Sequence, residues 1–269
     1  DPEADLTYAT RGYFENGGRQ VYVCRVASAS SRTASTAFGP HFTVQATGPG
    51  RWGERVYARI EPGSSGLGFR FRVAYYESEP VGDPFDWFED AAIGVAPAYA
   101  EDFDELVLDA ASPDYWERQL AGAKLVRLVR EPAAPPDTAP EFGSRRLTGG
   151  DDGAALGEDD FDGGAAAERE PRGLAALAEC QDVALVLVPG ASIEVARRVI
   201  AHCESLCHCF AVLDAPRELP AGFVPREAIG ASSRAALYAP WLLVRDLADP
   251  RRSRAVPPGG HVAGVYVRT

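Results

Sequence analysis

Six consecutive apolar residues, Val183 to Val188, constrain this chain more than any other stretch. A short apolar run of this kind reads as a strand buried on both faces, as in the interior of a parallel sheet. Pro189-Gly190 ends the run. Ala191 or Ser192 then caps a helix reaching about Ser205, with Val195, Val199, Ile200 and Cys203 on one face. Cys209 to Leu213 is the next apolar strand, and it stops at Asp214. Strand, helix and strand at this spacing form a βαβ unit, for which a right-handed crossover is expected. A short helix around Leu174, Leu177 and Ala178 precedes it, and Trp241 to Val244 adds a further strand, so the C-terminal half reads as α/β.

The rest of the chain reads differently. Leu6, Ala9, Tyr13 and Phe14 fall near helical spacing, and Gly17-Gly18 stops that helix. Gln20 to Val26 alternates and is β-branched, so a strand is expected. Residues 27–40 are rich in Ser, Ala and Thr and read as a linker. Strands follow at Phe42–Ala46, Val56–Ile60 and Phe69–Tyr76, the last alternating arginine with apolar residues as a half-exposed strand does. Residues 78–122 are acidic and mixed. Ser112-Pro113 there reads as a cap and first-turn proline for a helix carrying Tyr115, Trp116 and Leu120. Leu125–Val129 is a strand, and 131–171 is a loop rich in Pro, Gly and acids.

Charge and composition exclude several classes. A net charge of −12 over 269 residues opposes nucleic-acid binding. No apolar run approaches the ~20 residues that span a bilayer, so no membrane insertion is expected, and the N-terminus has no signal-peptide pattern. The absence of methionine predicts an internal or processed segment. Five cysteines, an odd number loosely spaced, do not form a secreted disulfide framework, and a reducing, cytoplasmic origin fits them better.

Candidate chemistry is sparse. Ser192 lies between a strand and a helix, as the nucleophile of an α/β serine hydrolase would, but Pro189-Gly190-Ala191-Ser192-Ile193 is not a nucleophile elbow, and an N-cap role is the simpler assignment. His202, Cys203, Cys207, His208 and Cys209 are zinc-type ligands, with Cys203 and Cys207 spaced to share a helix face. No second ligand pair completes a site, and buried thiols packing a helix on a sheet are the simpler reading. The acids Asp151, Asp152, Glu158, Asp159, Asp160 and Asp162 lack the EF-hand spacing and read as a solvated loop. Gly149-Gly150 has no lysine to complete a P-loop. Trp241, beside Pro240, reads as core. No catalytic residue, cofactor or metal is expected.

Five ordered pieces resemble the tail sheath proteins of contractile phages and related contractile injection systems. They are Tyr13-Phe14-Glu15-Asn16-Gly17-Gly18 with Tyr22–Val26; Gly48-Pro49-Gly50-Arg51-Trp52-Gly53-Glu54; Leu147-Thr148-Gly149-Gly150-Asp151-Asp152-Gly153; Ala236-Leu237-Tyr238-Ala239-Pro240-Trp241; and Val256-Pro257-Pro258-Gly259-Gly260-His261-Val262-Ala263-Gly264-Val265-Tyr266-Val267-Arg268. Glu54, Gly259 and Val267 stand where the family usually has asparagine, serine and alanine. The resemblance implies an α/β core, subtilisin-like and formed by residues 1–35 and 131–269, with a mostly-β sandwich inserted at 36–130. It further implies a structural subunit of a helical sheath, assembled in the cytoplasm around an inner tube above a baseplate and then part of a virion tail or injection particle. Aligned by these pieces, the resemblance implies that the family's N-terminal arm and final C-terminal domain fall outside this stretch, so this piece is expected to be monomeric. Arg251, Arg252 and Arg254 are a candidate contact for an acidic surface such as Asp151 and Asp152 of a neighbouring subunit.

Overall fold

Two glycines close the first helix as expected. Helix α1 (Asp5–Glu15) ends with Gly18 N–H donating to the Tyr13 carbonyl at 2.9 Å and Gly17 N–H donating to Phe14 at 3.3 Å. This double bond pattern needs a left-handed residue, and Gly17 supplies it at φ 120°. The computed structural model describes residues 4–91, 95–135, 138–163 and 172–268; positions 136–137 and 164–171 of the expected 131–171 loop, and Thr269, lie outside them. The chain continues through β1 (Ser35–Ala37), β2 (Phe42–Ala46), β3 (Val56–Pro62), β4 (Phe69–Tyr75), α2 (Asp86–Glu89), β5 (Tyr99–Leu106), α3 (Trp116–Leu120), β6 (Val126–Arg130) and β7 (Gly143–Arg146). Then come α4 (Glu158–Asp162), α5 (Gly173–Ala178), β8 (Leu185–Val186), α6 (Ile193–Leu206), β9 (Phe210–Asp214), α7 (Pro225–Ile229), β10 (Ala235–Tyr238), β11 (Leu242–Arg245), β12 (Ser253–Val256) and α8 (Gly259–Arg268). Residues 27–155 form one compact unit, and residues 1–26 with 156–269 form another.

The 27–155 unit holds two antiparallel sheets, ordered β1-β2-β6 and β5-β4-β3-β7. One buried cluster serves both, including Phe38, Phe42, Val44, Val56, Ile60 and Phe71. Three expectations change here. Residues 27–40 are not a linker, because β1 pairs with β2 and Ala34 and Phe38 are buried. The division falls at 26/27 and 155/156 rather than at 35/36 and 130/131, because β7 completes the sheet beside β3, and Arg32 and Ser35 bridge to Asp151 and Thr148. Helix α3 starts after Tyr115; the Ser112 hydroxyl instead accepts from Asp114 N–H at 3.2 Å in the preceding turn.

Strand β5 was hidden by its acids. Tyr99–Leu106 has poor β propensity, but its carboxylates face the arginines of β4: Arg70 meets Asp102 at 2.6 Å, and Arg72 lies 3.6 Å from it. Strand β4 is also less open than its alternation suggests. Arg72 is buried and stands opposite Arg59 on β3. A like-charged cross-strand pair is unfavourable; here Asp83 pairs with Arg59, while Glu61 at 3.3 Å and Glu89 at 2.5 Å join Asp102 around Arg72. Arg72→Ala is expected to cost about 2 kcal/mol in urea unfolding, less than a fully buried pair because the three carboxylates are partly solvated. Its hydrogen bond to Arg72 holds Glu89 below the usual carboxylate range. A depressed carboxylate contributes stability above its unfolded pKa that is lost as pH falls through the folded value, so the variant should show a flatter acid limb than the parent.

In the other unit a three-stranded parallel sheet runs β10-β9-β8. The βαβ unit is present, with Val199, Ile200 and Cys203 of α6 packed over β9 in one core. The run Val183–Val188 is not a doubly buried strand, however. Only Leu185–Val186 pairs, and β8 is the sheet's edge. The central position belongs to β9, which has a neighbour on each side. Trp241–Val244 does not extend this sheet either: β11 forms a separate antiparallel hairpin with β12. The neighbour of β9 is Ala235–Tyr238, which stops before Pro240, a residue with no N–H to give. Gln20–Val26 enters no ladder.

Candidate functional site

Strand β9 delivers Asp214 to the centre of the α/β unit. Its side chain is buried, and its two oxygens accept from Gly190 N–H at 3.1 Å and Gly259 N–H at 2.6 Å. The carboxylate thus joins the loop before α6 to the N-terminus of α8, where a negative charge is favoured. Burial pushes the Asp214 pKa above the ordinary carboxylate value, the two N–H groups act the other way, and the nearby Asp5 adds to the rise. Gly259 is needed here, since a Cβ would lie 2.8 Å from the Asp214 Oδ1. Beside this node Trp241 is half-buried, with Nε1 donating to the Ala215 carbonyl at 2.8 Å. Sequence reasoning gave Asp214 no role beyond ending a strand. The available signal was an acid closing an apolar run, with Gly-Gly after the proline pair.

The run after Pro257-Pro258 is helical, and α8 packs against α1 through glycines. Gly260 rests on the Ala9 main chain, Gly264 would place a Cβ 2.5 Å from the Tyr13 carbonyl, and Gly12 admits the His261 ring. Gly260 and Gly264 are four residues apart and so lie on one helix face. Gly17 completes the contact against the Arg268 side chain, while Gly18 packs locally on the Tyr13 ring at the end of α1. Tyr266 reaches from α8 to Tyr238 on β10, hydroxyl to hydroxyl at 2.5 Å. Burial lowers the His261 pKa. Pro257 and Pro258 are buried, while Val265, Tyr266 and Val267 are each partly exposed.

The 27–155 unit brings together two motifs about a hundred residues apart in sequence. Gly150 approaches the Gly50 carbonyl so closely that no Cβ fits between them. Arg51 N–H donates to Asp152 Oδ1 at 3.1 Å, and Arg32 to Asp151 Oδ2 at 3.1 Å. Glu54 accepts from Gly149 N–H at 3.2 Å, which ties the two motifs together a second time. Trp52 Nε1 donates to the Pro49 carbonyl at 3.0 Å, and Gly53 fits against Ala34 and Ala46. Gly150→Ala should therefore destabilise this unit by about 2 kcal/mol in urea unfolding, as overpacking against main chain does.

The charged residues proposed for subunit contact have bonds within their own units. Asp151 and Asp152 hold Arg32 and Arg51 as described. Arg254 lies 3.6 Å from Asp5 and over the Tyr8 ring, Arg252 lies 3.4 Å from Asp249, and Arg251 N–H donates to Asp249 at 3.1 Å. Ser192 is the N-cap of α6, its exposed hydroxyl accepting from Val195 N–H at 3.2 Å. Cys203 and Cys207 do not share a face: Cys203 is buried against Cys209, and Cys207 is exposed at the left-handed helix end. Burial pushes the Cys203 thiol well above its ordinary value. No cluster of three or more metal-ligating side chains occurs among the described residues. The acids 158–162 are helix α4 rather than loop, and Asp159 and Asp162 both bind Arg198.

One groove, of about 480 Å³, lies within the α/β unit. It runs between the β8 edge at Asp182–Leu187 and the segment Arg19–Tyr22, with α1 and α8 supplying Ala9, Tyr13 and Ala263.

No protein-family model and no curated protein matches this chain. Among solved structures, a sheath tail protein from Desulfitobacterium hafniense is similar at 13% identity and a TM-score of 0.43, over 96% of this chain and 48% of that one. A sheath tail protein from Listeria innocua is similar at 9% identity and a TM-score of 0.46, over 87% of this chain and 42% of that one. The chain therefore spans about half the length of these proteins or less.

Proposed function

We propose that this chain is part of a structural subunit of a contractile tail sheath. In this reading the α/β unit is the sheath core, subtilisin-like in layout, and the antiparallel unit is a β-sandwich carried on it. Copies polymerise helically around an inner tube above a baseplate, and contraction drives the tube through a target envelope. Assembly takes place in the cytoplasm, and the product is the tail of a virion or the sheath of an injection particle. The observation that carries the reading is that the five sheath-like pieces supply tight contacts: Gly150 on Gly50, Tyr266 on Tyr238, and Gly259, Gly260 and Gly264 on Asp214 and α1. Motif residues that serve a shared architecture behave in this way. The reading assigns no catalytic step, and Ser192 serves as a helix cap.

Negative-stain electron microscopy tests the proposal, using the gene product that carries this chain, expressed alone and with a tube-forming partner. Striated tubes or hollow contracted cylinders are expected. Dispersed particles under both conditions would overturn it.

A further inference from the structure

We propose that residues 79–89 are a charge-latched lid on the outer face of the β5-β4-β3-β7 sheet, opening as a unit of their own while the main core stays folded. The inner face of this sheet, with Val56, Ala58, Ile60, Phe71 and Val73, belongs to the large buried cluster. Alternation turns Tyr57, Arg59, Arg72 and Ala74 to the other face, and the register sets Arg146 of β7 opposite Tyr57. Three of these residues are arginines on three neighbouring strands, and the lid answers each with one acid. Glu79 meets Arg146 at 3.4 Å, Asp83 pairs with Arg59, and Glu89 meets Arg72 at 2.5 Å.

The apolar anchorage is small. Phe85 is fully buried, but only with Ala74 and Tyr76, in a cluster separate from the large one. Satellite clusters of this kind lie under long loops. The Tyr76 hydroxyl donates to the Pro84 carbonyl at 2.6 Å. Arg59 lies over the Phe85 ring at 4.7 Å and Arg72 over the Phe88 ring at 5.4 Å, so the same two arginines hold the lid's rings and its carboxylates. The side chains of Glu79, Asp83 and Glu89 are 75%, 42% and 65% exposed, so dissolved salt reaches every pair. Few buried apolar contacts and solvent-reached ion pairs favour a local opening well below the global unfolding energy. Opening bares Arg59, Arg146 and Tyr57 and leaves the large cluster, which contains no lid residue, in place.

Hydrogen exchange on the full chain tests this. The Phe88 amide, which donates to the Phe85 carbonyl at 3.0 Å, reports the lid. The Leu147 amide, which donates to the Val56 carbonyl at 3.0 Å, reports the main core. Phe88 is expected to be protected over the unstructured rate, but at least ~10-fold less than Leu147. Raising salt from about 0.1 M to about 1 M shortens the screening length from about 10 Å to about 3 Å, and should lower Phe88 protection a further ~3-fold or more while Leu147 is unchanged. Asp83→Asn combined with Glu89→Gln should show that weaker protection already at low salt. Equal protection of Phe88 and Leu147 would overturn the proposal, since the lid would then open only with the whole unit. So would a Phe88 amide unprotected at low salt, or Phe88 protection that salt or the double variant leaves unchanged.

Discussion

A Gly260→Val protein should lose about 3 kcal/mol or more from the α/β unit, at the upper end for overpacking. The reason is geometric. Any Cβ at this position would overlap the Ala9 main chain, and neither helix can turn a backbone atom aside. Side-chain crowding is relieved by a new rotamer, whereas backbone crowding requires α1 and α8 to separate. Separation would also loosen Gly264 from Tyr13 and Gly12 from His261, so the damage spreads along the pair. With roughly 3 °C per kcal/mol for a unit of this size, its melting transition should fall by about 10 °C. Val265→Ala, at a partly exposed position of the same helix, should stay within about 0.5 kcal/mol of the parent. Equal melting of Gly260→Val and Val265→Ala would refute the close-packed helix pair.

The second large effect is expected at Asp214. Asp214→Ala leaves two main-chain donors, Gly190 N–H and Gly259 N–H, without their carboxylate, at a cost of about 3 kcal/mol. Asp214→Asn keeps one acceptor oxygen but turns an NH2 group toward the other donor, so it should recover only part of that loss. The two proteins also differ in pH dependence. The folded Asp214 pKa lies above its unfolded value, so its titration contributes stability that is full below the unfolded pKa and lost as pH rises through the folded one. The asparagine variant lacks this contribution, and its deficit relative to the parent should grow as the pH falls through that window. Urea unfolding at a series of pH values measures the difference; a deficit that shrinks on acidification would contradict the burial assigned to this group.

Much of the secondary structure was legible because it follows from local rules. Gly17-Gly18 ends α1, Ser192 caps α6, and β2, β3, β4 and β6 lie where alternation and turn residues predict them. Strand β5 was illegible because its stability comes from arginines on another strand, which no local window contains. The linker assignment of 27–40 failed for a related reason: small polar residues are ambiguous until a partner strand arrives, and β2 is that partner. At the site, the glycines were recognisable as a motif but their purpose was not. Gly260 and Gly150 matter because of Ala9 and Gly50, positions far away in sequence.

By itself, then, the sequence determined helices α1 and α6, strands β2, β3, β4, β6 and β9, several of the turns between them, and that the chain joins an α/β part to a β part. Those are consequences of backbone preference and apolar spacing, and they act over a few residues. Only the tertiary structure decided that Val183–Val188 is an edge, that Ala235–Tyr238 rather than Trp241–Val244 flanks β9, and that Asp214 receives the start of α8. Edge or centre, and partner or solvent, depend on which surfaces compete for the same neighbour. That competition is settled by burial summed over the whole unit, not by any one stretch of chain.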